Sequence, residues 1–424
     1  MKSLRLLQPR WLLFGLLAAV ALGMAACGDE GEEEPVAETA PPIKIGVVYD
    51  ASGAVTSPLG LSYVKGAEIA IDDINAQGGI KVGGQTYRLE YVKVDSRSDP
   101  VAAIAGAQQL LQDRVVAVAV GTCAFAPQVY AQIKPTANTF VWTVCPPLLN
   151  LLDKNVPGSY EGLEKNPLLF SAVDFTLPII KGWLAQITAI HPDIKKVSFL
   201  LDNGPLGRAL VPTLEIASKD LGLEFVGGDQ YPLGTTDFST YATNVKARNP
   251  DIVYMTSGTV AFDVPVAAVE LDIAPYIIVS GLRPSDVPRL GDFGDMVVIA
   301  TDFRLPYHKG IEPPEYTDEV AKFGELPGGL PLQIGFAVAW YDFIQLLAQA
   351  MEKAGTVTDA NAIAQAFVGQ SRESIMGGKV TVDPDHATRG SMGNFEVTRD
   401  KFTVYIYTDA TSSKPIDKYD VPRR

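Results

Sequence analysis

Aliphatic residues alternate with small or polar ones from Ile43 to Tyr49, and the run ends in Asp50-Ala51-Ser52-Gly53. That is the pattern of a strand entering a glycine turn. From Tyr63 to Ala76 the period changes: Val64, Ala67, Ile71 and Ile74 share one helical face, Lys65, Glu68, Asp72 and Asp73 lie on the others, and Gly78-Gly79 closes the run. Strand, loop and helix together make the opening β-α unit of a parallel sheet, in which ligands lie at the carboxyl ends of the strands.

The rhythm repeats. Thr86–Asp95 reads as a strand, 100–113 as a helix and Val115–Val120 as a β-branched strand buried on both faces. A loop at 121–127, a helix to about Ala137, the strand Phe140–Val144 and the turn Pro146-Pro147 follow. From Asp174 a second series begins. Its predicted helices are 178–190, 206–221, 240–249 and 262–271, and its strands are 196–201, 224–231 at an edge, 251–256 and 276–280.

The segments of the first unit carry a resemblance. Ser52-Gly53, Gly66-Ala67-Glu68 at the start of a helix carrying AIDDINAQGGI, and the later YVKVDSRSDPVAAI are similar to the amino-terminal lobe of type I periplasmic binding proteins, in the branched-chain amino-acid-binding branch. The likeness runs from about Ile43 to Thr408. It implies an α/β fold of two Rossmann-like lobes, with parallel sheets flanked by helices and a three-strand hinge between them. The expected division is 43–171 plus 301–375 for lobe one and 172–300 plus 376–424 for lobe two, with FAVAWYDFIQLLAQAMEKAG as a long helix of lobe one. The crossings are expected at 301–304 and near Ile375, the latter returning MGGKVTVDPDHATRGSMGNFEVTRDKFTVYIYT to lobe two as a small antiparallel sheet.

Composition fits such a chain. At 424 residues, 47% hydrophobic and 20% charged, it is long enough for two cores and too apolar to be disordered. A formal charge of -14 excludes a nucleic-acid surface. The amino terminus reads as an export signal over 1–26, with Lys2, Arg5 and Arg10 ahead of the apolar run Trp11–Ala21 and small residues before Cys27. Leu22-Gly23-Met24-Ala25-Ala26-Cys27 resembles a lipobox, which implies cleavage before Cys27 and lipid on its sulfur; the alternative is an ordinary signal peptide cut near Ala26. Residues 27–42 then form an acidic tether without periodicity. No other segment is expected to be long and apolar enough to cross a membrane. Cys123 and Cys145 fall at the ends of predicted neighbouring strands, placed either for a disulfide or as two buried thiols.

Catalytic motifs are missing. There is no G-x-S-x-G, P-loop or H-E-x-x-H, the glycines at 78, 79, 83 and 84 do not form a dinucleotide fingerprint, and His191, His308 and His386 read as solvated surface residues. Neither enzyme activity, metal nor cofactor is expected. The binding reading places Ser52, Gly53 and Leu59, then Thr122, Cys123, Ala124 and Phe125, then Thr143, Cys145 and Pro146 from lobe one around a cleft. Asn203, Leu206, Ser257, Gly258 and Arg283 face them from lobe two.

Amino-acid-binding members of the family offer serine and threonine in these loops and an acid for the ligand ammonium. Here the loops read Cys-Ala-Phe-Ala, Thr-Val-Cys-Pro-Pro and Leu-Arg-Pro. A buried ammonium without a carboxylate is costly, so the reading favours an aromatic or aliphatic carboxylate held by Arg283, with Phe125, Trp142 and Leu206 as an apolar wall. Arg283 pairing with Asp286, and Trp142 in the core, are the competing readings. The resemblance further implies an exported, lipid-anchored monomer that delivers its solute to an ABC permease. An amino-acid receptor with atypical contacts, a ligand sensor and a secreted hydrolase are the alternatives.

Overall fold

The structure is a computed structural model that describes residues 40–52, 58–121, 126–134, 139–143, 167–172, 177–232, 234–256, 263–303, 311, 317–327, 332–384, 386–390, 392–409 and 412–423. Thr39–Arg424 is one compact unit. The export signal, Cys27, most of the tether, Cys123, Cys145 and His308 lie outside the described residues.

Residues up to Ser171 build the first sheet. Its strands are β1 (Ala40–Tyr49), β2 (Ile80–Val82), β3 (Gln85–Asp95), β4 (Ala117–Gly121), β5 (Phe140–Thr143) and β6 (Leu169–Ser171), in the order β2-β3-β1-β4-β5-β6. All neighbours are parallel except β2 and β3. The crossovers are α1 (Pro58–Ala76), α2 (Pro100–Gln112) and α3 (Ala126–Ile133). Val64, Ala67, Ile71 and Ile74 of α1 are buried, as their spacing requires.

The second sheet is built from α4 (Leu177–Ile190), β7 (Lys196–Asp202), α5 (Pro205–Asp220), β8 (Glu224–Tyr231), α6 (Ser239–Lys246), β9 (Ile252–Thr256), α7 (Asp263–Glu270), β10 (Tyr276–Ser280) and β11 (Val297–Phe303). The chain then forms α8 (Thr317–Phe323), α9 (Ile334–Ala354) and α10 (Ala360–Phe367), then β12 (Ser371–Glu373), β13 (Lys379–Val382) and β14 (Thr388–Arg389). It ends in β15 (Met392–Val397), β16 (Lys401–Tyr407) and β17 (Asp417–Pro422), which join the second sheet as β17-β16-β15-β11-β10-β9-β7-β8.

One expected crossing moves. β11 pairs with β10 as far as Thr301 and with β15 as far as Phe303, so the chain leaves the second sheet within the expected 301–304. The segment expected to return at 376 instead forms the separate sheet β12-β13-β14, whose Met376, Val380 and Val382 are buried in the core of the first lobe. An isolated parallel bridge joins Ser171 to Ala387, and the return comes only at β15. The apolar positions at 376, 380 and 382 are compatible with either lobe; contact with α9 and α10 decides between them.

Helix α9 is the axis of the first lobe. By length and hydropathy it would pass for a membrane span, contrary to the expectation for the chain beyond the leader, but 89% of its apolar window is buried inside the fold. Trp142 is fully buried here, stacked on Phe343 at 5.2 Å and edge-on to Trp340 at 5.6 Å. The core reading of Trp142 holds, and it is not part of a cleft wall. His386 is also buried, not solvated: its ring stacks on Phe170 at 4.3 Å and its Nδ1 lies 3.0 Å from the Leu169 carbonyl. His191 is half-buried, with Nε2 2.5 Å from Glu396 Oε1. Both histidines fasten remote segments together.

Candidate functional site

Parallel pairing puts the carboxyl ends Tyr49, Gly121, Thr143 and Ser171 on one edge of the first sheet, and Asp202, Thr256, Ser280 and Phe303 on one edge of the second. Of the residues predicted for ligand contact, Gly53, Thr122, Cys123, Ala124, Phe125, Cys145, Pro146, Ser257 and Gly258 lie outside the described residues. Leu206 falls in the first turn of α5 and Leu59 in that of α1. Ser52, Thr143, Asn203 and Arg283 are described.

Ser52 is exposed, and its hydroxyl donates to Asp95 Oδ2 at 2.6 Å. The other Asp95 oxygen accepts from the backbone N–H groups of Ala51 at 2.9 Å, Ser52 at 3.3 Å and Arg97 at 2.9 Å. The carboxylate therefore holds the loop after β1 against the end of β3. Arg97 and Ser98 both have positive φ, 53° and 55°, a conformation that is uncommon for side-chain-bearing residues. Ser98 Oγ in turn donates to the Ser52 carbonyl at 3.1 Å. The D-S-x-x-D-P step was visible in the sequence, but its clamp on Ser52 was not.

Burial alone would raise the Asp95 carboxyl; its donors from Ser52, Arg97 and Ala51 outweigh this and hold it below the ordinary carboxylate value. A carboxyl that titrates lower folded than unfolded stabilises the fold fully above about pH 4, and this contribution is lost as pH falls through the folded value. Asp95→Asn is expected to cost about 1–2 kcal/mol at pH 7 and progressively less below about pH 4. Urea midpoints at pH 7 and pH 3 check this; an equal deficit at both would show that the charge is not the source.

Thr143 is fully buried, and its carbonyl accepts from Ala172 N–H at 3.2 Å and Ser171 Oγ at 3.3 Å. Asn203 is exposed just beyond β7, where its backbone N–H donates to the Tyr231 carbonyl at 2.8 Å. Its neighbour Asp202 is buried and accepts from Gly204 N–H at 2.7 Å. A Cβ on Gly207 would lie 1.9 Å from the Asp202 carbonyl oxygen, so only glycine lets α5 begin this close to the strand end.

Arg283, just past β10, is claimed by its local partner. Its Nε lies 2.5 Å and its Nη2 2.7 Å from the two oxygens of Asp286, a bidentate pair in which the side chains are only 13% and 8% exposed. The alternative pairing is thus the one observed, and it is buried rather than superficial. Asp50, also buried, accepts from Ser96 Oγ. Four carboxylates beside these strand ends, Asp50, Asp95, Asp202 and Asp286, all accept from protein donors. No group of metal-binding side chains occurs among the described residues.

Two lobes of mainly parallel strands flanked by helices define a two-lobed α/β fold. The profile of the family described as periplasmic binding protein matches residues 42–401, and the chain belongs to that family, in its type I branched-chain amino-acid-binding group. The Leu/Ile/Val-binding protein homolog 7 of Brucella suis is 28% identical over 219 residues, 51% of this chain and 52% of the relative, so the alignment spans about half the relative's length. Among solved structures, the leucine-, isoleucine-, valine-, threonine- and alanine-binding protein of Brucella ovis, in its closed conformation, superposes with a TM-score of 0.68 at 18% identity. The superposition covers 90% of this chain and 95% of that one. A Rhodopseudomonas palustris solute-binding protein in complex with p-hydroxybenzoic acid gives 0.65 at 20% identity, covering 90% and 98%.

Proposed function

We propose that this protein is the extracytoplasmic receptor of an ABC importer, held at the membrane by lipid on Cys27, which encloses a small organic carboxylate between its lobes and hands it to the permease. It performs no chemistry. The observation that carries the ligand class is the charge at the strand ends. Asp50, Asp95, Asp202 and Asp286 there are already engaged by hydroxyl, backbone or guanidinium donors, so none of these four is reserved for an α-ammonium. Arg283 lies at the same edge in its pair with Asp286, so a ligand carboxylate would share that guanidinium with Asp286. Relatives of this fold include both an amino-acid receptor and one holding p-hydroxybenzoic acid, so the fold accommodates either class.

An amino-acid receptor with atypical contacts is the second reading, favoured by the names of the sequence relatives. Thermal-shift measurements on residues 39–424 separate the two. Benzoate or p-hydroxybenzoate at about 100 times Kd is expected to stabilise the protein by about 2.7 kcal/mol, and Arg283→Ala to abolish the shift. Stabilisation by leucine that survives Arg283→Ala would establish the second reading. In cells, Cys27→Ser is expected to move the protein from the membrane to the soluble fraction; retention on the membrane would remove the lipid from the proposal.

A further inference from the structure

A guanidinium is permanently charged and carries five N–H donors, so one that is held still without a carboxylate is prepared for an oxyanion. Arg423, just after β17, is such a group. Its backbone N–H donates to the Asp400 carbonyl at 2.9 Å and its Nη1 to the Thr398 carbonyl at 2.9 Å. The guanidinium lies over the buried ring of Phe293, 5.0 Å from its centroid. Among the described residues no carboxylate pairs with it.

Arg423 lines a cavity of about 320 Å³ together with Gly291, Asp292, Phe293, Gly294 and Arg399. Small-ligand sites begin at about this size. Arg399, in the turn between β15 and β16, brings a second guanidinium, and its Nη2 lies 3.6 Å from Asp292 Oδ1. Both of those side chains are solvated, 66% and 81% exposed, so the pair is weak and opens readily. Asp292 is fixed separately by the Gly294 N–H at 3.0 Å; that bond and Arg399 hold its carboxyl below the ordinary carboxylate value. The pairing of Val298 with Val397, and of Val397 with Phe402, puts the cavity at the amino end of β11. The seven residues of that strand, about 20 Å, separate it from Phe303 at the edge facing the proposed solute.

We infer that this cavity is a second ligand site, which takes a phosphate group and is separate from the solute site. Geometry selects phosphate. A planar carboxylate is satisfied by one guanidinium fork, whereas the tetrahedral oxygens of a phosphate reach two guanidinium groups arriving from different segments. In a chain of net charge -14, two arginines converging on one cavity stand out from the surrounding field. On binding, Arg399 leaves Asp292 for the phosphate, while Arg423 stays where Phe293 and the Thr398 carbonyl hold it. A lipid headgroup and a soluble phosphorylated molecule offer the same oxygens.

Calorimetric titration of residues 39–424 with inorganic phosphate tests the site. Saturable binding is expected at low ionic strength, weakening as sodium chloride is added. Arg423→Gln and Arg399→Gln are each expected to weaken it by at least about tenfold. Asp292→Asn keeps the oxygen that accepts from Gly294 but removes the competing charge, and is expected to tighten binding by about threefold. Lys219→Gln on α5 leaves it unchanged. Co-sedimentation with phosphatidylglycerol vesicles that is lost in Arg423→Gln assigns the phosphate to a lipid headgroup; phosphate binding without co-sedimentation assigns it to a soluble molecule. No saturation by about 10 mM phosphate in either the parent or Asp292→Asn overturns the inference, as does binding that survives both arginine substitutions.

Discussion

Gly66→Ala is expected to destabilise the protein by about 3–5 kcal/mol, although the same change in an exposed helix is stabilising by about 1 kcal/mol. Gly66 lies in the middle of α1, where α1 crosses α9. A Cβ there would sit 1.8 Å from the Ala337 carbonyl oxygen and 2.6 Å from its carbon. Those are backbone atoms of a buried helix, so no rotamer change relieves the clash; the helices must separate. Separation would uncover Tyr63, which stacks on Trp340 at 5.0 Å, and would stretch the hydrogen bond from Gln333 N–H to Ser62 Oγ, now 2.9 Å. Gly106→Ala in α2 is the matched comparison. Its Cβ would meet side chains only, Val94 at 2.6 Å and Val48 at 3.7 Å, so a smaller loss is expected. Urea unfolding of the two variants checks the order, and equal midpoints for Gly66→Ala and the parent would show that the helices are not in fixed contact.

Asp342→Ala carries the second large effect. Asp342 is fully buried in α9 and accepts from Arg372 Nη1 at 3.0 Å and Ser374 Oγ at 2.6 Å. Removing one partner of a buried ion pair strands the other, at a cost of about 3–5 kcal/mol. The loss should be greatest around β12, because Arg372 and Ser374 are what this carboxylate holds onto α9. Asp342→Asn keeps the shape and a hydrogen bond to Ser374 and is expected to cost less. Hydrogen exchange at 371–382 provides the readout. Unchanged protection there in Asp342→Ala would show that apolar contacts of Met376, Val380 and Val382 hold the small sheet without the ion pair.

Much of the architecture was legible because it depends on period. The change from alternation at 43–49 to helical spacing at 63–76 marks one β-α unit, and its repetition marks a parallel sheet. The edge position expected for 224–231 is where β8 lies. The candidate site was less legible. Ser52 and Arg283 were chosen for their place after a strand, and both do lie at strand ends, but their side chains are taken by Asp95 and Asp286. Asp286 stands only three residues from Arg283, so that pair is local in the sequence. Asp95 lies 43 residues from Ser52, and only the pairing of β1 with β3 brings them together.

His386 and Trp142 show the same division. A histidine after Asp383-Pro384-Asp385 has the local chemistry of a solvated turn, yet the segment folds back on β6 and the ring is covered by Phe170. Trp142 in a strand could face either side of its sheet; α9, nearly two hundred residues later, covers one of them. The amino-acid order by itself determined most strands and helices, because each is written in spacings of a few residues, and the two-lobed class came from the family resemblance of the first unit. Tertiary structure alone decided where the β12-β13-β14 sheet packs, which partners take Asp95 and Asp286, and why residue 66 must be glycine. Most of these depend on groups far apart in the chain meeting within a few ångströms, where backbone contact and charge pairing act.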